Sequence, residues 1–103
     1  MNPVIVITTC PKGQGEKLKR TIVENKLGAC ASSFSVSSSY WWKGEIVSEE
    51  EDLLIIKTIE EKLKDLYEVF RSEHPYTVPE FLVIPVKILG PYYDWLKETL
   101  SNE

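Results

Sequence analysis

The sequence predicts an α+β domain of the ferredoxin-like, split β-α-β type, with an antiparallel sheet and an additional C-terminal helix. Three observations lead to this fold class. The 103 residues fit a single domain, residues 1–103. Short β-branched runs and amphipathic helical patterns follow one another in the order β-α-β-β-α-β. A two-residue turn signal lies between the two central strands, as an antiparallel hairpin requires.

The first strand and the first helix are predicted in the N-terminal third of the chain. Residues 4–9 are a short apolar, β-branched run that is typical of a buried strand. The segment 10–15, which contains Pro and Gly, ends this strand. Residues 16–26 carry Leu, Ile and Val side chains near one helical face. Gly28 follows directly, and we expect it to end the helix in the left-handed conformation that favours glycine.

The central part of the sequence predicts a long β-hairpin. Phe34 and Val36 alternate with serines, a pattern that fits either a strand or a flexible linker. We favour a strand because Tyr-Trp-Trp at residues 40–42 continues it, and the Lys-Gly pair that follows has the composition of a tight turn. The chain then returns through residues 45–56, which end in a continuous apolar run.

The second half of the sequence predicts a helix, a strand and a terminal helix. Thr58 is placed to cap the helix, with Glu61 three residues later to complete a capping box. This helix has the clearest amphipathic pattern in the chain and should end before Pro75. Residues 81–88 form the last predicted strand, in which Pro85 indicates an edge position or a bulge. A short amphipathic helix follows Gly-Pro near the C-terminus.

Charge and composition exclude several classes of partner. The net charge is −4 at pH 7, so the average surface repels a polyanion, and the sequence has no basic run. We therefore expect no nucleic-acid partner. The N-terminal apolar run is too short for a membrane span and lacks the basic start of a signal peptide. We expect a cytoplasmic protein with no membrane partner and with reduced thiols.

The aromatic tip of the predicted hairpin indicates self-association. A four-stranded sheet covered by helices on one face leaves the other face open in so small a domain. Tyr40, Trp41 and Trp42 lie on the hairpin with few partners available within the chain, and aromatic residues in such positions often anchor interfaces. The alternative is that these three residues only close the core of the domain itself. We favour a subunit interface.

Four side chains are candidates for metal or acid–base chemistry. His74, the only histidine, is either a nitrogen ligand or a structural residue bonded to a backbone carbonyl. Cys30 is either a soft ligand for copper or a small buried thiol. Cys10 lies in a Pro-Gly loop, and we expect it to be the more exposed and more reactive thiol. Glu51, in the acidic run 49–52, could attract a cation or simply lie on a solvated strand.

The sequence lacks the signatures of common catalytic and cofactor sites. It has no glycine-rich phosphate loop, no Gly-x-Ser-x-Gly elbow and no Cys-x-x-Cys pair. We therefore expect neither an enzyme nor an obligatory cofactor. Three hypotheses remain: a self-associating protein that binds metal ions, a self-associating signalling or scaffold protein, and an enzyme in which His74 transfers protons beside Glu51 or Lys57.

Several segments together resemble the CutA family of divalent-cation (copper) tolerance proteins. The resemblance covers nearly the whole chain, in order and at the family's spacing, and the aromatic hairpin with the His-Pro-Tyr segment is its most specific part. The matching segments are Thr8-Thr9 before Pro11, Ala29-Cys30-Ala31, Tyr40-Trp41-Trp42-Lys43-Gly44-Glu45-Ile46, Lys57-Thr58, His74-Pro75-Tyr76-Thr77-Val78-Pro79-Glu80 and Tyr93-Asp94-Trp95-Leu96.

The resemblance implies a ferredoxin-like homotrimer that takes part in tolerance of divalent metals, especially copper. It implies a site in a cleft between subunits, and it assigns no role to Cys10. For metal binding we expect His74, Cys30 and Glu51 to act as ligands. The remaining matching positions, which we expect to line the cleft between subunits, are Trp42, Lys57 and Tyr76.

Overall fold

A computed structural model describes residues 2–73 and 76–101. Within them the chain forms a four-stranded antiparallel sheet and helices, which confirms the predicted α+β fold. None of the described helices is long and apolar enough to cross a membrane. The elements are β1 (Pro3–Pro11), α1 (Gly15–Glu24), β2 (Cys30–Trp42), β3 (Glu45–Ile59), a 3-10 turn (Glu60–Lys62), α2 (Leu63–Glu73), β4 (Leu82–Pro85) and α3 (Pro91–Leu100). The strands lie in the sheet in the order β2-β3-β1-β4.

The main core lies between one face of the sheet and the helices α1 and α2. Alternation along β1 and β3 places Val6, Leu54 and Ile56 on this face, and all three are fully buried. Ile22 of α1 and Phe70 of α2 pack into the same cluster and are also fully buried. Each such side chain contributes about 1.5–3 kcal/mol to the free energy of folding.

The hairpin of β2 and β3 has the turn that its sequence predicts. Lys43 and Gly44 both have positive φ, 52° and 81°, as a two-residue type I′ turn requires. Trp42 pairs with Glu45 on either side of the turn, and the ladder continues without interruption to Cys30 paired with Lys57. The serine-rich segment is therefore a strand, which confirms the favoured interpretation over a linker.

The C-terminus of α1 differs from the prediction. Lys26, with φ 56°, takes the left-handed position, while Leu27 N donates to Ile22 O and Lys26 N donates to Val23 O. These two bonds form a Schellman motif. Gly28 does not have positive φ. The position requires glycine because a Cβ there would lie 2.7 Å from Cγ2 of Ile56. The predicted helix-ending role of Gly28 is therefore wrong, and its role is close packing.

The predicted capping box at Thr58 is also wrong. Thr58 is still in β3, fully buried, and its Oγ1 donates to the carbonyl oxygen of Leu27 at 2.7 Å. The following 3-10 turn begins after Ile59, with no side-chain cap bond. A buried threonine hydroxyl needs a hydrogen-bond partner, and here a backbone carbonyl from another part of the chain provides it.

The second face of the sheet is largely apolar and only partly covered. Ile5 and Ile84 are directly paired on it, and Phe34 lies on the same face of β2. Ile84 and Phe34 are 42% and 52% exposed. Helix α3 packs against Ile59 at one end of this face. Strand β4, which is shorter than the predicted 81–88, lies at the sheet edge with Pro85 as its last residue, as that proline indicated.

Candidate functional site

A cleft of about 730 Å³ lies beside the tip of the β2–β3 hairpin, next to residues 76–80. Its lining combines aromatic rings and carboxylates. Because Ser38 pairs with Glu49 and Tyr40 with Val47, side-chain alternation places Tyr40 and Glu49 on one face, the one that the helices leave open. The aromatic and acidic residues of the lining include Tyr40, Trp42, Glu49, Glu51, Tyr76 and Glu80.

Glu51 is the most buried acidic side chain of this cleft. It is only 5% exposed, and its Oε2 accepts a hydrogen bond from Tyr76 Oη at 2.8 Å. Burial, and then the bond to Glu51, raise the pKa of Tyr76, so this phenol stays a donor at neutral pH. The bond fixes Glu51 on β3 to a segment 25 residues further along the chain.

Two further carboxylates lie in the same cleft. Glu49 Oε1 accepts a hydrogen bond from Tyr40 Oη at 2.8 Å, and this bond raises the pKa of Tyr40. Burial, and then the charge of Glu51, raise the pKa of Glu80. The backbone carbonyl of Glu80 accepts a hydrogen bond from Thr8 Oγ1. This bond connects the segment of residues 76–80 to β1. The cleft therefore concentrates negative charge that a bound cation would offset.

The structure separates two of the predicted metal ligands. Cys30 pairs with Lys57, whereas Glu51 pairs with Val36, six positions further along β2. At about 3.3 Å per residue the two side chains are roughly 20 Å apart, too far to bind one ion within a single chain. The described part of the chain contains no group of three or more His, Cys, Asp or Glu side chains that could hold a metal ion. His74 lies outside the described residues.

The predicted cleft residues fall into two groups. Trp42 and Tyr76 line the cleft with Glu51. Lys57 lies at the other end of the hairpin ladder, where its Nζ is 5.8 Å from the centre of the Tyr92 ring. Trp41, predicted at a subunit interface with Tyr40 and Trp42, is 71% exposed, and the interface itself stays a prediction.

Cys10 is not the exposed, reactive thiol that its loop-like sequence suggested. Strand β1 continues through it to Pro11, and Cys10 is 1% exposed on the face that the helices cover. Burial, followed by the charges of Asp52 and Glu51, raises the pKa of its thiol to about 11. The thiolate, which is the reactive form, is therefore scarce at neutral pH.

Sequence reasoning missed two cleft carboxylates, Glu49 and Glu80, and the cleft role of Tyr40. A signal for Glu49 was present, because it lies two residues from Glu51 and so on the same face of a strand. No such signal existed for Glu80, because its position depends on how residues 76–80 fold back over the sheet. This segment reaches β1 through the Thr8 bond and β3 through the Tyr76 bond.

Comparisons with known proteins agree with this architecture. A family model described as CutA1 divalent ion tolerance protein matches residues 4–99. The divalent-cation tolerance protein CutA of Thermotoga maritima is 40% identical over 99 residues, which are 94% of this chain and 98% of that protein. The structure of CutA from Synechococcus elongatus has a TM-score of 0.91 at 34% identity, covering 97% of this chain and 91% of that one.

A second solved structure, the PII-like protein CutA from Nostoc sp., has a TM-score of 0.89 at 36% identity. The match covers 95% of this chain and 97% of the Nostoc chain. Sequence and structure thus agree over almost the whole length, and the chain belongs to the CutA1 family of divalent-ion tolerance proteins.

Proposed function

We propose that this protein is a homotrimer that contributes to divalent-cation tolerance by binding copper or a related divalent metal at the cleft beside Glu51. The observation that carries the proposal is the grouping of Glu49, Glu51 and Glu80 around one cleft, with Glu51 nearly fully buried. A buried carboxylate with two further carboxylates beside it favours a cation between them, and the charge of Glu51, after burial, raises the pKa of Glu80. Family membership supports the choice of a divalent metal.

The donor set suits copper if His74 joins it. Carboxylate and phenol oxygens bind many divalent ions, and an imidazole shifts the preference towards the copper end of the divalent series. His74 is two residues from Tyr76, whose hydroxyl bonds Glu51. Cys30 can share an ion with Glu51 only if the two come from different subunits, because roughly 20 Å separates them within one chain.

The open face of the sheet supports the trimer. Apolar side chains on this face, such as Ile84 and Phe34, are partly exposed to water. Contact with another subunit would remove this apolar surface from solvent. At the tip of the hairpin, Trp41 and Ile46 pair across the strands and are 71% and 65% exposed. Tight packing of such surfaces between subunits buries apolar area that a domain of this size cannot bury alone.

Native mass spectrometry of the reduced protein, with copper and a chelator of known affinity, tests both parts of the proposal. We expect a trimer that retains a fixed number of copper ions per chain. Glu51→Gln and His74→Ala should each weaken retention by at least about tenfold, or ~1.4 kcal/mol. Glu68→Gln, a substitution on the exposed side of α2, is the control and should leave retention unchanged.

The outcomes separate the two parts. A trimer that loses copper to the chelator would contradict the metal site and favour a signalling or scaffold role for the same assembly. Copper held by a monomer would contradict the trimer. Loss of copper in Cys30→Ala alone, with Glu51→Gln unaffected, would move the metal to the opposite end of the hairpin.

A further inference from the structure

The side chain of Glu51 is closely covered, although it lines the cleft. It is 5% exposed, and its Oε2 accepts a hydrogen bond from Tyr76 Oη at 2.8 Å. A divalent cation lies about 2.0–2.6 Å from a carboxylate oxygen and needs room for further ligands or waters. Contact with other subunits can only lower the exposure of Glu51 further. A cation therefore reaches this carboxylate only when a covering group moves.

Residues 76–80 form an irregular strap between α2 and β4, and both ends of the strap are bonded to the sheet. At one end Tyr76 Oη donates to Glu51 on β3. At the other end the backbone carbonyl of Glu80 accepts a hydrogen bond from Oγ1 of Thr8, a fully buried residue of β1. Because the strap belongs to no helix or strand, it can move without breaking the ladder between β4 and β1.

Like charges oppose the closed position of the strap. Glu80, on the strap, lies close enough to Glu51 for the charge of Glu51, after burial, to raise the pKa of Glu80. The two carboxylates repel each other when both are ionised. A cation between them offsets this repulsion and so favours the closed position. Hydrogen bonds thus hold the strap against a repulsion that a bound cation removes.

We propose that the strap is a gate, which opens to admit a cation to Glu51 and closes over the bound ion. The inference rests on the proposed function, because it describes how the cation of that site enters and leaves. Opening breaks the bond from Tyr76 Oη to Glu51 Oε2, and closing restores this bond and leaves Oε1 to the ion. The gate slows both entry and release, so the protein retains an ion longer than its ligands alone would.

Labelling of carboxylates tests the gate without any metal. The full-length protein, in metal-free buffer, is treated with a water-soluble carbodiimide and an amine, and mass spectrometry of proteolytic fragments locates the label. We expect slow labelling of Glu51 in the wild type. Tyr76→Phe should label Glu51 at least about tenfold faster, because it removes a hydrogen bond to a charged group. Thr8→Val, which removes a bond between neutral groups, should accelerate labelling about threefold.

Tyr93→Phe and Thr21→Val are the matched controls. Neither residue is among the described lining residues of the cleft, and the Thr21 hydroxyl bonds a carbonyl within α1. Both controls should label Glu51 at the wild-type rate, and circular dichroism checks that every variant folds. Equal labelling of the wild type and Tyr76→Phe would overturn the gate. Faster labelling in the controls as well would also overturn it, because general loosening of the fold would then expose Glu51.

The rate of copper release distinguishes failure of the gate from failure of the proposed function. Protein loaded with copper is mixed with an excess of chelator, and release is followed over time. We expect Tyr76→Phe to release copper at least about tenfold faster than the wild type. Copper that both proteins retain and release at the same rate would overturn the gate and leave the proposed function standing. A wild type that retains no copper, with Glu51 still labelled faster in Tyr76→Phe, would contradict the proposed function and support the strap as the cover of Glu51.

Discussion

The environment of Cys10 determines how this thiol reacts. Its side chain faces the helices, is 1% exposed, and lies close enough to Asp52 and Glu51 for their charges to raise its pKa further. A thiol with a pKa of about 11 holds roughly 100-fold less thiolate at neutral pH than one at the ordinary value of 9.0. Cys10 is therefore protected by its low acidity as well as by its burial.

We expect native Cys10 to resist alkylation. In a Cys30→Ala variant at pH 8, iodoacetamide should modify Cys10 at least about 100-fold more slowly in the folded protein than in urea, because the folded thiol is both protonated and inaccessible. Because the folded pKa is raised, the rate in the folded protein should keep rising up to about pH 11 instead of levelling near 9. Mass spectrometry of timed samples measures both rates. Similar rates in buffer and in urea would contradict a buried, protonated thiol.

At the scale of elements, Asp52 joins β3 to the start of α1. Its Oδ2 accepts hydrogen bonds from Gly13 N and Gly15 N, each at 2.9 Å, while Gln14 at the N-cap position makes no side-chain cap bond. A carboxylate from a distant strand thus satisfies donors at the helix N-terminus and complements its dipole. A Cβ at residue 15 would lie 2.9 Å from that same oxygen, which explains the glycine.

Asp52→Ala should lower the free energy of unfolding by about 1–2 kcal/mol, the usual cost of losing a helix cap. Urea titration followed by circular dichroism measures the change. Asp52→Asn keeps a side-chain oxygen acceptor and should cost less than the alanine variant. Gln14→Ala, at the formal cap position, should change stability little because its side chain makes no cap bond. A larger loss in Gln14→Ala than in Asp52→Ala would show that Asp52 does not cap the helix.

These elements show which parts of the fold can be predicted from the sequence. The turn at Lys43-Gly44 and the strand alternation of β2 depend on neighbouring residues, so local patterns predict them correctly. Thr58 and Gly28 resemble a helix cap and a helix end, yet both act through contacts with distant segments. Local patterns cannot distinguish these alternatives, because the deciding partners, Leu27 and Ile56, are fixed only by the tertiary fold.

At the scale of the whole molecule, the same reasoning applies to the site. The sequence predicts Glu51, Trp42 and Tyr76 as site residues, and the structure brings them to one cleft. Cys30, from the same set, lies roughly 20 Å from Glu51 because the hairpin is long and regular. A single chain cannot bring Cys30 and Glu51 to one ion, so a site that used both residues would need two subunits.

A substitution on the open face of the sheet can test the proposed trimer. Ile84 on β4 and Val23 on α1 are almost equally exposed, 42% and 41%, but only Ile84 lies on the apolar face that the helices leave uncovered. Placing a lysine at a buried subunit interface costs several kcal/mol unless the charge is paired. We therefore expect Ile84→Lys to dissociate the proposed trimer and Val23→Lys to leave it intact.

Size-exclusion chromatography with light scattering measures the mass of each variant at a matched protein concentration. Circular dichroism checks that the Ile84→Lys chain remains folded, since its own core lies on the other face of the sheet. A trimer that survives Ile84→Lys and dissociates in Val23→Lys would place the interface on the helical side. Copper retention should fall together with the trimer if the site needs Cys30 from a neighbouring subunit, whereas retention by the Ile84→Lys monomer would confine the metal to one chain's own cleft.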